Sequence, residues 1–263
     1  MSANQNGGLQ VSEPRHVPAI PGMRLGDGAA HHSDLWLVVP VFNEGPKVEE
    51  VVSDLLREFP NVVCVDDGSA DESAAAIGRT AAQLIRHPVN LGQGAALQTG
   101  IEFARKQAGA EWFVTFDADG QHQAQDVLRM VHRLRTEPLD IVLGTRFGGS
   151  QDRLVPWTKR IVLRTATAAS RRSRRMRLTD SHNGLRAFNR RVAHELQLTS
   201  NGMGHASEFV ELIDLMGWRV AEEQVTILYS EYSMAKGQSL LNGVNIVFDS
   251  AVRGSGRRTG ARR

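Results

Sequence analysis

The chain has a single cysteine, Cys64, among 263 residues, so no intrachain disulfide can form. Its place inside the apolar run NVVCVDD makes it a small buried side chain and suits a reducing compartment. No apolar stretch approaches the roughly 18 to 20 residues that a spanning helix needs, and the N-terminus lacks the apolar core of a signal peptide. These absences predict a cytoplasmic protein, soluble or peripherally bound. The chain also lacks an internal repeat, a P-loop ending in G-K-[ST] and a complete G-x-G-x-x-G: in NLGQGAALQTG, Leu97 stands where the third glycine belongs. Net charge is small as well, at +2.

That small total hides an uneven distribution. From Arg153 to Arg191 there are twelve Lys or Arg against one acid, Asp180, and the chain ends in RGSGRRTGARR. Such asymmetry points one face toward an anionic partner. The cluster RRSRRMR (171–177) reads as a dock for an anionic membrane surface or as a plain solvated face. Nucleic acid is not expected, because the segment lacks interleaved aromatics and an acid-lined rim would repel a phosphate backbone. Trp157 and Ile161, at i and i+4, form either an interfacial stripe or core packing.

The first 33 residues, rich in Gly, Pro and polar side chains, read as a tail, and the His31–His32 pair within it as solvated. Strand-length apolar runs then alternate with helical patterns. Strands are predicted at 35–41, 61–67, 83–87, 111–117 and 139–144. Helices are predicted over PKVEEVVSDLLREF, SADESAAAIGRTAA (with Ser69 and Glu72 in capping-box spacing), GQGAALQTGIEFARKQ and QDVLRMVHRLRT. The alternation implies an α/β fold with a mainly parallel sheet covered by helices on both faces. Beyond residue 145 come a basic amphipathic segment (153–178), a short strand in NGLRAFNR, a helix in HASEFVELIDLMG and a late strand or hairpin in WRVAEEQVTILY. One domain spans 34–250, followed by a basic tail over 251–263.

Ligands of parallel α/β sheets bind beyond the carboxyl ends of the strands. Those ends carry Asn43 and Glu44, Asp66 and Asp67, Asp117, Asp119, Gln121 and His122, and Arg146. An isolated D-x-D says little, since turns favour Asp; four polar strand ends on one rim say more. Alternating carboxylates with a nearby amide oxygen suit Mg2+ or Mn2+, which would bridge protein to a diphosphate. The glycines around Gly92 let the third helix start close to the rim, or serve packing alone. His205 and Glu208 share a helix face, as a cap or a catalytic pair. Asp180 either orients an arginine or holds the basic segment down through a salt bridge.

Taken in order, LVVPVFNE, VDDGSADES, NLGQGAALQTGIEFA, FDADGQH, GTRF and DSHNGLRAFNR resemble the family 2 glycosyltransferases of GT-A fold, in the branch that includes dolichyl- and polyprenyl-phosphate mannosyltransferases. The resemblance covers about Leu35 to Ser239. It implies an inverting transfer of a hexose from a nucleotide diphosphate sugar, GDP-mannose or a UDP-hexose, to a polyprenyl phosphate at the inner face of the membrane. It implies nucleotide-sugar contacts at Pro40, Val41, Asn43, Glu44, Asp66, Asp67, Gly92, Asp117, Ala118 and Asp119, and a metal held by Asp117, Asp119 and Gln121. Arg146, Lys159, Arg160 and Lys236 would meet the acceptor phosphate. Asp119, Arg146 and Asp180 would form the catalytic set. The late segment EEQVTILYSEYSMAKGQS departs from the branch, which there has EVP followed by an arginine. A saccharide hydroxyl acceptor in polysaccharide synthesis is the alternative; it would require a general base, Asp180 or Glu208. A non-catalytic protein binding anionic lipid or nucleic acid is a remote one.

Overall fold

The computed structural model describes residues 32–146, 178–180, 183–202 and 204–228. Strand β1 (Leu35–Val41) is buried along its whole length, as an apolar run flanked by two sheet neighbours must be. Helix α1 (Lys47–Glu58) places Val48, Val51, Val52 and Leu55 on one buried stripe, with Glu49 and Glu50 at its positive end and Arg57 at its negative end. Then follow β2 (Val62–Asp66), the short α2 (Ser73–Gly78), β3 (Gln83–Arg86), α3 (Gln93–Ala104), β4 (Trp112–Thr115), α4 (Ala124–Thr136) and β5 (Ile141–Thr145). After the gap come β6 (Arg186–Asn189), α5 (Arg190–Glu195), α6 (His205–Met216) and β7 (Val220–Gln224).

Among the described residues the sheet has seven strands in the order β3-β2-β1-β4-β6-β5-β7. Its pairings are parallel except where β6 runs antiparallel between β4 and β5. Helices cover both faces, as the alternating pattern predicted. One core joins α1, α2 and α4 to the sheet through Val48, Ile77 and Met130, and the other joins α3, α5 and α6 through Ile101, Val192 and Phe209. The chain moves outward from β1 to β2 and β3, then returns to β4 on the other side of β1. This makes the gap between the carboxyl ends of β1 and β4 the switch point where α/β proteins bind ligands.

Three expectations need correction. The capping box does not form: α2 starts at Ser73 with Glu72 before it and no side-chain cap. The Ser69 hydroxyl instead accepts a hydrogen bond from Asn43 N (2.9 Å), which takes residues 67–72 out of the helix and into the rim. The helix also stops at Gly78 rather than continuing to Ala82, and the Thr80 hydroxyl caps Ile77 O. The solvated reading of His32, within the expected tail of 1–33, also fails: it is 6% exposed and its ring lies 5.8 Å from that of Phe59. Residues 1–31, the part of the basic segment up to 177 with Trp157 and Ile161, and the C-terminal stretch from 229 lie outside the described residues. Cys64 is buried in β2, and burial pushes its thiol up to about 12.

Asp140, just before β5, ties the far side of the sheet together. Its carboxylate accepts from Arg219 Nε and the Arg219 backbone N–H (3.0 and 2.9 Å) and from Asn189 Nδ2 (3.0 Å). The Arg219 hydrogen bond, opposed by partial burial, brings its pKa down to about 2. A depressed carboxylate stabilises the fold above its unfolded value, near 4, and that contribution is lost as pH falls through about 2. Asp140→Asn is therefore expected to lower stability by about 1–3 kcal/mol at neutral pH. Urea unfolding should show a smaller deficit at pH 3 than at pH 6; an equal deficit at both would remove this account.

Candidate active site

Loop 42–45, leaving β1, is stapled to the loop leaving β2. Ser69 Oγ accepts from Asn43 N, Ser73 Oγ accepts from Glu44 N (2.9 Å), and Asp71 Oδ2 accepts from Gly45 N (2.8 Å). Asn43 Oδ1 in return accepts from Ala70 N (3.0 Å), with Asn43 itself at φ 52, a conformation Asn tolerates better than most residues. The polar residues that end β1 thus become a rigid half of the rim.

Asp66 and Asp67 are both buried, and their oxygens are occupied. Asp66 Oδ1 accepts from Ser69 N (3.2 Å) and Oδ2 from Arg86 Nε (3.0 Å). Asp67 Oδ1 receives His87 Nδ1–H (2.7 Å) and Leu91 N (3.0 Å), and Oδ2 receives Gly92 N (2.7 Å). Asp67 therefore shapes the 87–92 loop from beneath. Beside Asp66 a cleft of about 390 Å3 opens, lined by Gly68, Ser69, Arg86, His87 and Pro88. The sequence reading missed Arg86 and His87; they end an apolar strand too short and exposed to mark them, and only its pairing with β2 brings them beside Asp66.

Val41 and Ala118 lie in the hydrophobic core, and Pro40 is buried in β1, so all three can offer a ligand only backbone atoms. Gly92 meets a packing demand at the start of α3, where Asp67 also holds its backbone N–H. A Cβ there would sit 2.3 Å from Asn201 O, and that carbonyl accepts from Gly94 N at 2.7 Å, so it caps the start of α3. Glu208 in turn accepts from Ser200 N (2.8 Å) and from Thr199, holding the capping loop in place. His205 Nδ1 lies 2.8 Å from Gly202 O. His205 and Glu208 thus serve this turn separately.

Asp117 faces the rim between β1 and β6, its side chain 28% exposed. Gln93 Nε2 donates to its Oδ1 (3.1 Å), and His122 Nε2 lies 3.5 Å from Oδ2. Burial pushes its carboxyl up, but the His122 hydrogen bond and charge, with Arg186 and His205, outweigh that and leave it below the usual range. Asp119 is displaced the other way: burial first, then the Asp117 charge, raise it, although Oδ1 accepts from Gln121 N (3.0 Å). His122 Nδ1 is buried without a hydrogen-bond partner. Among the described residues no three His, Cys, Asp or Glu side chains form a ready metal cluster. The donor set still fits Mg2+ or Mn2+, which bind through one or two carboxylates and take their other oxygens from phosphate and water.

Beyond β5, Arg146 forms a two-pronged pair with Asp180: Nε to Oδ2 at 2.6 Å and Nη2 to Oδ1 at 2.7 Å. Asp180 is buried, and Glu222 holds its backbone N–H at 3.0 Å. The arginine that Asp180 orients is therefore Arg146. Neither Asp180 nor Glu208 has a free, exposed carboxylate for general-base work. Lys159, Arg160 and Lys236 lie outside the described residues.

The profile described as Glycosyl transferase family 2 matches residues 36–197. The chain belongs to that family. Among the relatives of this family 2 glycosyltransferase is the UDP-N-acetylglucosamine–dolichyl-phosphate N-acetylglucosaminyltransferase of Methanococcus voltae, 27% identical over 235 residues, covering 81% of this chain and 93% of the relative. Another is the polyprenol monophosphomannose synthase of Mycolicibacterium smegmatis, 26% identical over 225 residues, covering 80% and 82%. The structure of glucosyl-3-phosphoglycerate synthase from Mycobacterium tuberculosis with Mn2+ and UDP-glucose superposes with a TM-score of 0.61 at 20% identity, covering 81% of this chain and 77% of that one. The fold is accordingly GT-A. Among the described residues no helix is long and apolar enough to cross a membrane.

Gly184 is the residue opposite Asp117 that permits this site. A Cβ at Gly184 would lie 2.0 Å from Asp117 Oδ2 and 2.6 Å from its Cγ, so the carboxylate would have to move. Gly184→Ala should fold, yet lower transferase turnover on the order of a hundredfold by misplacing Asp117. Turnover within threefold of the parent, measured alongside the melting temperature, would show that Asp117 need not stand where it does.

Proposed function

We propose that this glycosyltransferase moves a hexose from a nucleotide diphosphate sugar to a polyprenyl phosphate, with inversion and with Mg2+ or Mn2+, while bound peripherally at the cytoplasmic face of a membrane. The observation that carries the reading is the Asp117–Asp119 pair at the β1–β4 switch point, in a chain similar over four-fifths of its length to transferases named for dolichyl and polyprenol phosphates. The donor's base and ribose would occupy the cleft beside Asp66, and its diphosphate would lie toward Asp117 and Asp119. The ion, when bound by Asp117, Asp119 and Gln121, supplies positive charge to the leaving diphosphate.

The acceptor phosphate oxygen attacks the anomeric carbon from the side opposite the diphosphate. The carbon–oxygen bond to the nucleotide breaks, and the nucleoside diphosphate leaves with the electron pair. A phosphate monoester is already anionic near neutral pH, so no general base is needed. The engagement of Asp180 and Glu208 by donors supports this acceptor over a saccharide hydroxyl, which would need a proton acceptor. Arg146, oriented by Asp180, would bind the acceptor phosphate, joined by Lys159, Arg160 and Lys236. The basic stretch over 153–178 supports docking on anionic lipid, where each Lys or Arg near the surface contributes on the order of 1 kcal/mol.

Calorimetric titration of GDP and UDP, each with and without Mn2+, tests the donor half. One nucleotide should bind in a metal-dependent way, and Asp119→Asn should weaken it by about a hundredfold or more. Metal-independent binding that Asp119→Asn leaves intact would defeat the reading. Arg146→Lys tests the acceptor half: the point charge stays but the two-pronged geometry goes. The KM for a short polyprenyl phosphate should rise about tenfold or more while nucleotide affinity stays unchanged. A rise in nucleotide Kd without a change in acceptor KM would move Arg146 to the donor side.

A further inference from the structure

Arg186 is the largest side chain buried in full among the described residues, with 2% of its surface exposed. Taking a guanidinium out of water costs several kcal/mol unless charges and hydrogen bonds replace the lost hydration. Here the Nε donates to Asn183 O (3.1 Å) and the guanidinium carbon lies 4.6 Å over the Phe209 ring. One carbonyl and one ring face are thin compensation for a full charge. Among the described residues no acid lies within ion-pair distance, and the charges of Asp117 and Asp180 act on it from farther off. In the β4–β6 register Arg186 stands opposite Thr115, two residues before Asp117 and so on the same side of the sheet, and Gly184 abuts the Asp117 carboxylate directly.

We infer that Arg186 is the resident counter-cation of the Asp117–Asp119 site: its fixed charge lowers the affinity for a free divalent ion, so that the ion binds together with a nucleoside diphosphate. The inference rests on the proposed donor site and adds a role for a residue that touches neither donor nor acceptor. The two carboxylates are not alike. Asp117 has cationic and donor neighbours in Arg186, Gln93 and His122, whereas Asp119 has Asp117 and Glu44 adding to its negative surroundings. Arg186 itself stays charged at neutral pH: burial lowers its pKa to about 10 against the raising effect of Asp117 and Asp180. A fixed positive charge behind Asp117 opposes an arriving dication, and a diphosphate that enters with the ion offsets that opposition.

Electron paramagnetic resonance titration of the full chain with Mn2+, alone and with saturating UDP or GDP, reads this directly. The unaltered protein should bind Mn2+ about a hundredfold more tightly with nucleotide than without. Arg186→Gln, which removes the charge and keeps a donor for Asn183 O, should bind Mn2+ alone about tenfold more tightly than the parent, and Arg186→Lys should return it toward the parent value. A folded Arg186→Gln protein whose affinity for Mn2+ alone is unchanged or weaker overturns the inference, because a merely structural arginine gives that result. Should the Gln variant fail to melt cooperatively, the unaltered protein still decides: tight Mn2+ binding without nucleotide overturns the inference and leaves the donor site standing. Absence of Mn2+ binding even with nucleotide overturns both.

Discussion

A carboxylate removed from water must be given donors or an opposite charge, and that requirement organises the carboxyl edge of this sheet. Asp66, Asp67, Asp140 and Asp180 are all buried, and each is matched by named partners. Loops supply most of the partners, joined by Arg86 at the end of β3 and Asn189 at the end of β6. Asp67 engages His87, Leu91 and Gly92, so one side chain makes three of the bonds that set the loop carrying the chain from β3 to α3. Asp117 and Asp119 are the pair whose charges are least evenly matched, and they stand where β1 and β4 part.

Two shells of support converge on that pair. From α3, Gln93 reaches Asp117, and α3 itself is seated by Asn201, whose loop Glu208 holds from α6. From β6, Gly184 gives Asp117 its room and Arg186 stands behind it. The antiparallel β6 is what delivers both residues. Inserted between β4 and β5, it brings Gly184 against the Asp117 carboxylate and sets Arg146 and Asp180 on the adjoining part of the edge. Donor and acceptor halves of the proposed reaction are thereby built on neighbouring strands.

Much of this was legible along the chain. Apolar runs at β1, β2 and β5 marked strands because a strand covered on both faces can hold little else. The polar residues at the strand ends, Arg146 after β5 among them, marked the rim because strand ends in such sheets meet ligands. The capping box of Ser69 and Glu72 misled because a hydroxyl can cap a helix or bind another loop, and only the nearness of Asn43 N decides which. Arg86 and His87 escaped notice because β3 is a short, exposed edge strand with no pattern to separate a functional arginine from a solvated one.

By itself the sequence determined the fold class, the strand ends that carry polar groups, and family 2 membership, since periodicity and ordered motifs are local properties of the chain. Tertiary structure decided which polar groups are spent and which remain for chemistry. Asp67 holds the 87–92 loop, Gly92 packs against Asn201 and Asp180 is the partner of Arg146, while Arg186, one basic residue among many in its stretch, is buried. The reason is that burial and hydrogen bonding depend on distant partners, 20 residues apart for His87 and Asp67 and 100 for Thr226 and Asp126, and nothing in a local pattern sets those pairings.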